Sequence, residues 1–158
     1  MNTRTPDFIP AAVQPFRKEP INIGDYIENL IIPGHGTSLY DPLDPYTILV
    51  SLSTTCSFCL PAMEALDIFL ESHPSYRVTV LLEANEAAYQ KARSMFPEKL
   101  PIYRVTDEFV FRQLNLHGYP WAYGINAEGQ VITMFPCSEP RHYQDVAEPF
   151  CIFHEVEG

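Results

Sequence analysis

The stretch Val50-Ser51-Leu52-Ser53-Thr54-Thr55-Cys56-Ser57-Phe58-Cys59-Leu60-Pro61 decides how this chain folds. Tyr46 to Leu52, which leads into it, is apolar and rich in β-formers, and reads as a short, fully buried strand. The strand pattern stops at two threonines and a helical pattern begins at once beyond them. The two cysteines sit at that strand-to-helix turn. A hydroxyl of Thr54 or Thr55 is expected to cap the helix. Cys56 then falls among the unpaired N–H groups of the helix start, where partial positive charge favours a thiolate. Cys59 comes nearly a turn later, within reach of a disulfide back to Cys56. Such an arrangement is the layout of a dithiol redox site.

Working outward, the helix is carried by Ala62, Met63, Leu66, Phe69 and Leu70, with Glu64, Asp67 and Glu71 on the other side; His73-Pro74-Ser75 ends it. Tyr76 to Leu82 is a second buried strand, and Glu86 to Phe96 reads as a helix ended by Pro97. Ile102 to Val105 is a short third strand or a connector. Asp107 is the expected N-cap of a helix from Glu108 to Leu116 that stops at Gly118. Trp121 to Ile125 and Gln130 to Phe135 flank Asn126-Ala127-Glu128-Gly129, a hairpin signal. Before the core, Ile23 to Leu30 and Ser38 to Tyr40 read as two short strands around the turn Pro33-Gly34-His35-Gly36. The tail from Pro136 carries three prolines and an uncertain helix. Strand, helix, strand, helix and hairpin together predict an α/β fold with a mixed sheet, parallel at its centre and antiparallel where the hairpin joins.

The bulk numbers set limits. The chain has 158 residues, enough for one domain with a sizeable core. It carries 20 acidic against 10 basic residues, a net charge of −10, so phosphate backbones and anionic lipid surfaces repel it. No apolar run reaches the length of a membrane span. Residues 1–20 hold Pro6, Pro10, Pro15 and Pro20 and no apolar h-region, and read as an extended arm ahead of a domain at 21–158. A cytoplasmic protein is therefore expected, and there a cysteine pair is catalytic or metal-binding more often than structural.

The order of elements, with Cys56-Ser57-Phe58-Cys59 at the first strand-to-helix turn and Gly118-Tyr119-Pro120 just before the hairpin, resembles the thioredoxin fold. The added helix between Cys56 and Pro120, and the Ile23–Tyr40 segment, look more like the TlpA/AhpC-type redoxin branch. This resemblance covers roughly Ile23 to Phe135. It implies a thioredoxin-like fold: a central mixed sheet flanked by helices, with an N-terminal extension. It also implies a cis Pro120 facing the cysteines, with Tyr119 as the substrate-contacting neighbour, and no separate cofactor. The implied activity is thiol–disulfide exchange with a protein or peptide disulfide or dithiol, coupled to an unidentified electron donor or acceptor.

In three places the chain departs from the family pattern. Thr55 stands where a tryptophan often precedes the first cysteine. The buried carboxylate of many relatives is missing, its two usual places being Val50 and Ala62. Solvent, Glu83 or His117 would have to move the proton. The threonine that a peroxidase needs is also missing, so peroxidase activity is not expected.

Cys137 follows the hairpin, and its loop is expected to return to the edge that carries Pro120 and the helix start; it is read either as lying on the rim near Cys56 or as a half-buried cysteine that merely fills space. His117 is the other auxiliary candidate, the alternative being a solvated loop histidine. Two readings compete with the redox one: a zinc module built from Cys56, Cys59, Cys151 and His154, and a non-catalytic thioredoxin-like adaptor.

Overall fold

The computed structural model describes residues 19–157. The expected N-terminal arm falls outside them except for Glu19 and Pro20. Five strands make one sheet in the order β3-β2-β1-β4-β5. The central strand, β1 (Tyr46–Ser53), is buried along its whole length. It pairs in parallel with β2 (Val78–Glu83), which pairs in parallel with β3 (Ile102–Val105). On its other side β1 pairs antiparallel with β4 (Trp121–Asn126), and β4 with β5 (Val131–Pro136). Ile102 to Val105 is thus a true strand, and the sheet is mixed as expected.

The alternation of β1 explains its total burial. Tyr46, Ile48, Val50 and Leu52 face a core built with α1 (Cys59–Ser72) and α3 (Pro140–Ala147). Leu49 faces a second core containing Ile21 to Tyr40 and Phe109 to Leu116. A strand covered on both faces needs apolar residues at nearly every position. Two of its buried polar residues spend their hydroxyls inside the fold: that of Ser51 donates to the Gly118 carbonyl at 2.5 Å, and that of Ser53 to Glu83 at 2.6 Å.

Four local expectations need correction. First, α1 begins at Cys59, preceded by Phe58, and no side chain caps it. Thr54 and Thr55 instead bond back to the sheet edge, Thr54 N–H donating to the Glu83 carbonyl and Thr55 N–H to the Ser53 hydroxyl. Second, α2 (Glu86–Arg93) is shorter than expected and is capped by Asn85, whose side chain accepts from Ala88 N–H at 2.8 Å.

Third, the predicted helix from Glu108 to Leu116 is a π-helical turn, Glu108–Gln113, closed by Leu114 N–H on the Phe109 carbonyl. It is capped by the Thr106 hydroxyl, which accepts from Phe109 N–H, and not by Asp107. The chain leaves the turn at Asn115, in the left-handed region at φ 60°, before Gly118 is reached. Fourth, residues 23–40 form no strands, only isolated bridges between Tyr26 and Gln130 and between Ile31 and Ser38. The backbone of this segment is spent on the hairpin instead, through Gly24 N–H to Val131 O and Ile27 N–H to Gly129 O, both at 2.8 Å. The tail resolves into α3 and a 3-10 segment, Glu148–Glu157.

Candidate active site

Strand direction gathers the chemistry at one edge. The parallel strands β1, β2 and β3 all end there, so the residues at and after their ends, Cys56, Glu83 and Asp107, share it. β4 runs the other way and starts at that edge, which puts Tyr119 and Pro120 beside β1. β5 returns to it, with Pro136 opposite Trp121. The carboxyl ends of parallel strands are the usual place for a site in an open α/β sheet.

Cys56 sits in the tight turn between β1 and α1, where its N–H meets the Ser53 carbonyl at 3.3 Å. It is half-buried, with exposed neighbours: Thr55 before it and Ser57 and Phe58 after it, Phe58 being 67% exposed. Its Sγ lies 4.0 Å from the Tyr119 carbonyl oxygen, and the Tyr119–Pro120 peptide is cis. Cys59, at the first turn of α1, is 1% exposed. Burial pushes the Cys59 thiol up to about 12; Ser53 N–H, 3.2 Å from its Sγ, works in the opposite direction, and the neighbouring Cys56 adds to the rise. The pair therefore consists of one accessible sulfur and one held beneath it. All four cysteines are free thiols in this structure.

Ser53 ties the pair to a carboxylate that the sequence offered only as a candidate. Its hydroxyl donates to Glu83 and accepts from Thr55 N–H, while the Thr55 hydroxyl lies 2.9 Å away. Tyr119 is the second anchor. Its hydroxyl donates to Asp107 at 2.6 Å, and its ring meets Phe111 edge-on at 5.5 Å between centroids. Burial first, then Asp107, keeps this hydroxyl protonated well above the ordinary tyrosine range. Glu83 and Asp107 also line a cleft of about 510 Å³ with Asn85, Arg104 and Thr106. A larger cleft, about 640 Å³, lies near Asp44, Arg77 and Val78 at the other end of β1 and β2. Cavity size therefore does not mark the edge that carries the cysteines.

The remaining predicted residues divide. Cys137 does return to the same edge, its N–H donating to the Pro120 carbonyl at 3.0 Å. It is not on the rim, however: it is 0% exposed, faces Cys59 and Tyr143, and burial pushes its thiol up to about 12. The Tyr143 hydroxyl continues to the Ala62 carbonyl at 2.8 Å. His117 is turned away from the sulfurs. Its Nε2 donates to the Ile21 carbonyl at 2.8 Å and its ring stacks on Trp121 at 4.3 Å, which makes it a structural tie to residues 21–40.

The zinc quartet is not assembled. His154 Nε2 meets the Tyr46 hydroxyl at the beginning of β1, whereas Cys56 follows its end. An eight-residue strand separates them by about 25 Å. Among the described residues, no three His, Cys, Asp or Glu side chains converge as metal ligands would. Among them also, no helix is long and apolar enough to cross a membrane.

No family model and no curated protein matches the chain. Solved structures do share its fold. The thioredoxin domain of a thiol-disulfide oxidoreductase from Bacteroides vulgatus aligns at TM-score 0.63 and 16% identity, covering 82% of this chain and 98% of that one. A Chlorobium tepidum protein described as the thiol:disulfide interchange protein DsbE aligns at TM-score 0.64 and 14% identity, covering 84% and 97%. The exposed lipoprotein thioredoxin Etrx1 of Streptococcus pneumoniae aligns at 0.55 and 18%, covering 75% and 96%. The fold is thioredoxin-like.

Proposed function

We propose that this protein is a thiol–disulfide oxidoreductase of the TlpA/AhpC-type redoxin branch, with Cys56 as nucleophile and Cys59 as resolving thiol. One observation carries the reading: a half-buried Cys56 sulfur lies 4.0 Å from the Tyr119 carbonyl, with a fully buried Cys59 beneath it. Cys56 thiolate attacks one sulfur of a substrate disulfide. A Cys56–substrate bond forms, the substrate S–S bond breaks, and the other substrate sulfur leaves as a thiolate that takes up a proton. Cys59 thiolate then attacks Cys56 Sγ, which forms the Cys56–Cys59 disulfide and expels the second substrate thiolate. In total, two electrons and two protons pass to the substrate. An external dithiol must restore the reduced pair.

The structure supports a sequence in the two steps. While Cys56 is free, its charge and hydrogen bond help to keep Cys59 protonated. Once Cys56 is bound in a mixed disulfide, that repulsion vanishes and Cys59 ionises more readily, with Ser53 N–H in place to receive its charge. Resolution thus follows capture. The partner is a disulfide-bearing protein or peptide segment laid against the Tyr119 backbone. In a reducing cytosol the pair would be held as thiols and would reduce such substrates.

The test is insulin reduction by dithiothreitol, monitored as turbidity, with and without the protein. A Cys59→Ser variant should accumulate a mixed disulfide at Cys56, seen by mass spectrometry. If the wild-type protein gives no acceleration and the variant traps nothing, the enzyme reading fails and a non-catalytic adaptor remains.

A further inference from the structure

The π-helical turn holds the strip of backbone that faces the nucleophile. Asp107 is placed by sequence pattern to cap this turn, yet Thr106 does so, accepting from Phe109 N–H at 3.2 Å. The Asp107 carboxylate, released from capping, accepts instead from the Tyr119 hydroxyl at 2.6 Å, across a gap of 12 residues. Phe111, four residues further on, meets the Tyr119 ring edge-on at 5.5 Å, and one of its ring carbons lies 3.4 Å from the position a Cβ would take on Gly118. On the other side, the Gly118 carbonyl accepts from the Ser51 hydroxyl at 2.5 Å. The Gly118–Tyr119 backbone is thus fixed from β1 at one end and from the π turn through the Tyr119 side chain at the other. What it presents is the Tyr119 carbonyl, 4.0 Å from Cys56 Sγ.

We propose that Asp107 is a positioning residue for the substrate: by holding the Tyr119 hydroxyl it sets the backbone edge on which a disulfide-bearing segment aligns beside Cys56. This inference rests on the oxidoreductase reading for its consequence, though not for its geometry. Asp107 touches no sulfur, so its loss should alter substrate alignment and leave the thiol chemistry alone. A carbonyl oxygen suffices to accept the tyrosine proton, so an asparagine should serve where an alanine does not.

Two arms test it on the full-length protein. In the first, Asp107→Ala and Tyr119→Phe should each raise KM for insulin reduction by about tenfold, the size expected for one hydrogen bond to a charged acceptor. Asp107→Ala should leave kcat unchanged, and likewise the rate at which Cys56 reacts with the small disulfide dithionitrobenzoate. The double variant should be no worse than either single one, and Asp107→Asn should stay within about twofold of wild type. In the second arm, hydrogen exchange of the peptide spanning residues 117–123 should quicken in Asp107→Ala and Tyr119→Phe and stay slow in Asp107→Asn. Unchanged exchange in Asp107→Ala would overturn the proposal, as would additive effects in the double variant. If wild-type protein reduces no disulfide at all, the enzyme reading falls, and the exchange arm still decides whether Asp107 holds this backbone.

Discussion

Iodoacetamide should reach Cys56 well before Cys59 in the reduced protein at neutral pH, because Cys56 is half-buried whereas Cys59 is 1% exposed with its thiol pushed up to about 12. Peptide mapping after partial alkylation reads the order directly, and early labelling at Cys59 would reverse the two roles. Cys137 should stay unlabelled as long as the protein is folded, being fully buried against Tyr143. Its burial also keeps it from meeting a substrate disulfide directly. Residue by residue, the site is graded in exposure: an accessible sulfur, then a buried one, then a thiol and a tyrosine hydroxyl in the core.

At the level of elements, α3 lies close against the hairpin because β4 carries a glycine where they meet. A Cβ at Gly124 would stand 2.5 Å from Thr133 Oγ1, 2.6 Å from the Phe150 ring and 3.0 Å from the Val146 carbonyl. The same Thr133 hydroxyl donates to the Val146 carbonyl at 2.7 Å, so it cannot yield without losing the contact that docks α3. Gly124→Ala should therefore cost about 1–3 kcal/mol, as overpacking of a filled core does. Urea unfolding checks this, with a lower midpoint and an unchanged slope as the expected result. A midpoint equal to wild type would mean that α3 can shift outward freely. Because α3 brings Tyr143 up to Cys137 and Ala62, such a shift would also be felt behind Cys59.

For the whole molecule, buried thiols couple stability to alkaline pH. The folded protein keeps Cys59 and Cys137 protonated up to about 12, whereas in the unfolded chain cysteines ionise near about 8.5. Between those values the unfolded state binds fewer protons, so stability is complete below about pH 8.5 and falls as pH rises toward the folded values. In the oxidised protein Cys59 no longer titrates, and only Cys137 of the two contributes. Urea midpoints of the reduced and oxidised forms should therefore diverge above about pH 9, the reduced form falling more steeply. Parallel curves over that range would show that Cys59 is not protected as its burial implies.

Much of this protein is written locally. The apolar run from Tyr46, the paired cysteines at its end, the amphipathic helix after them and the Asn126–Gly129 turn each declare themselves within about ten residues, and periodicity with turn chemistry is enough to place them. The order of these elements constrained the sheet, and strand direction brought Cys56, Tyr119 and Cys137 to one edge. What the sequence could not decide was where individual side chains are spent. Thr54 and Thr55 have the chemistry of a helix cap but bind the sheet edge, because Glu83 at the end of β2 lies beside them. Asp107 is a better cap by pattern than Thr106, yet its carboxylate goes to a tyrosine 12 residues away. His117 reads as a loop histidine and is in fact locked to Ile21 and Trp121. A local cap or hydrogen bond is worth only about 1 kcal/mol, so the choice falls to groups far along the chain that only packing of the sheet brings near.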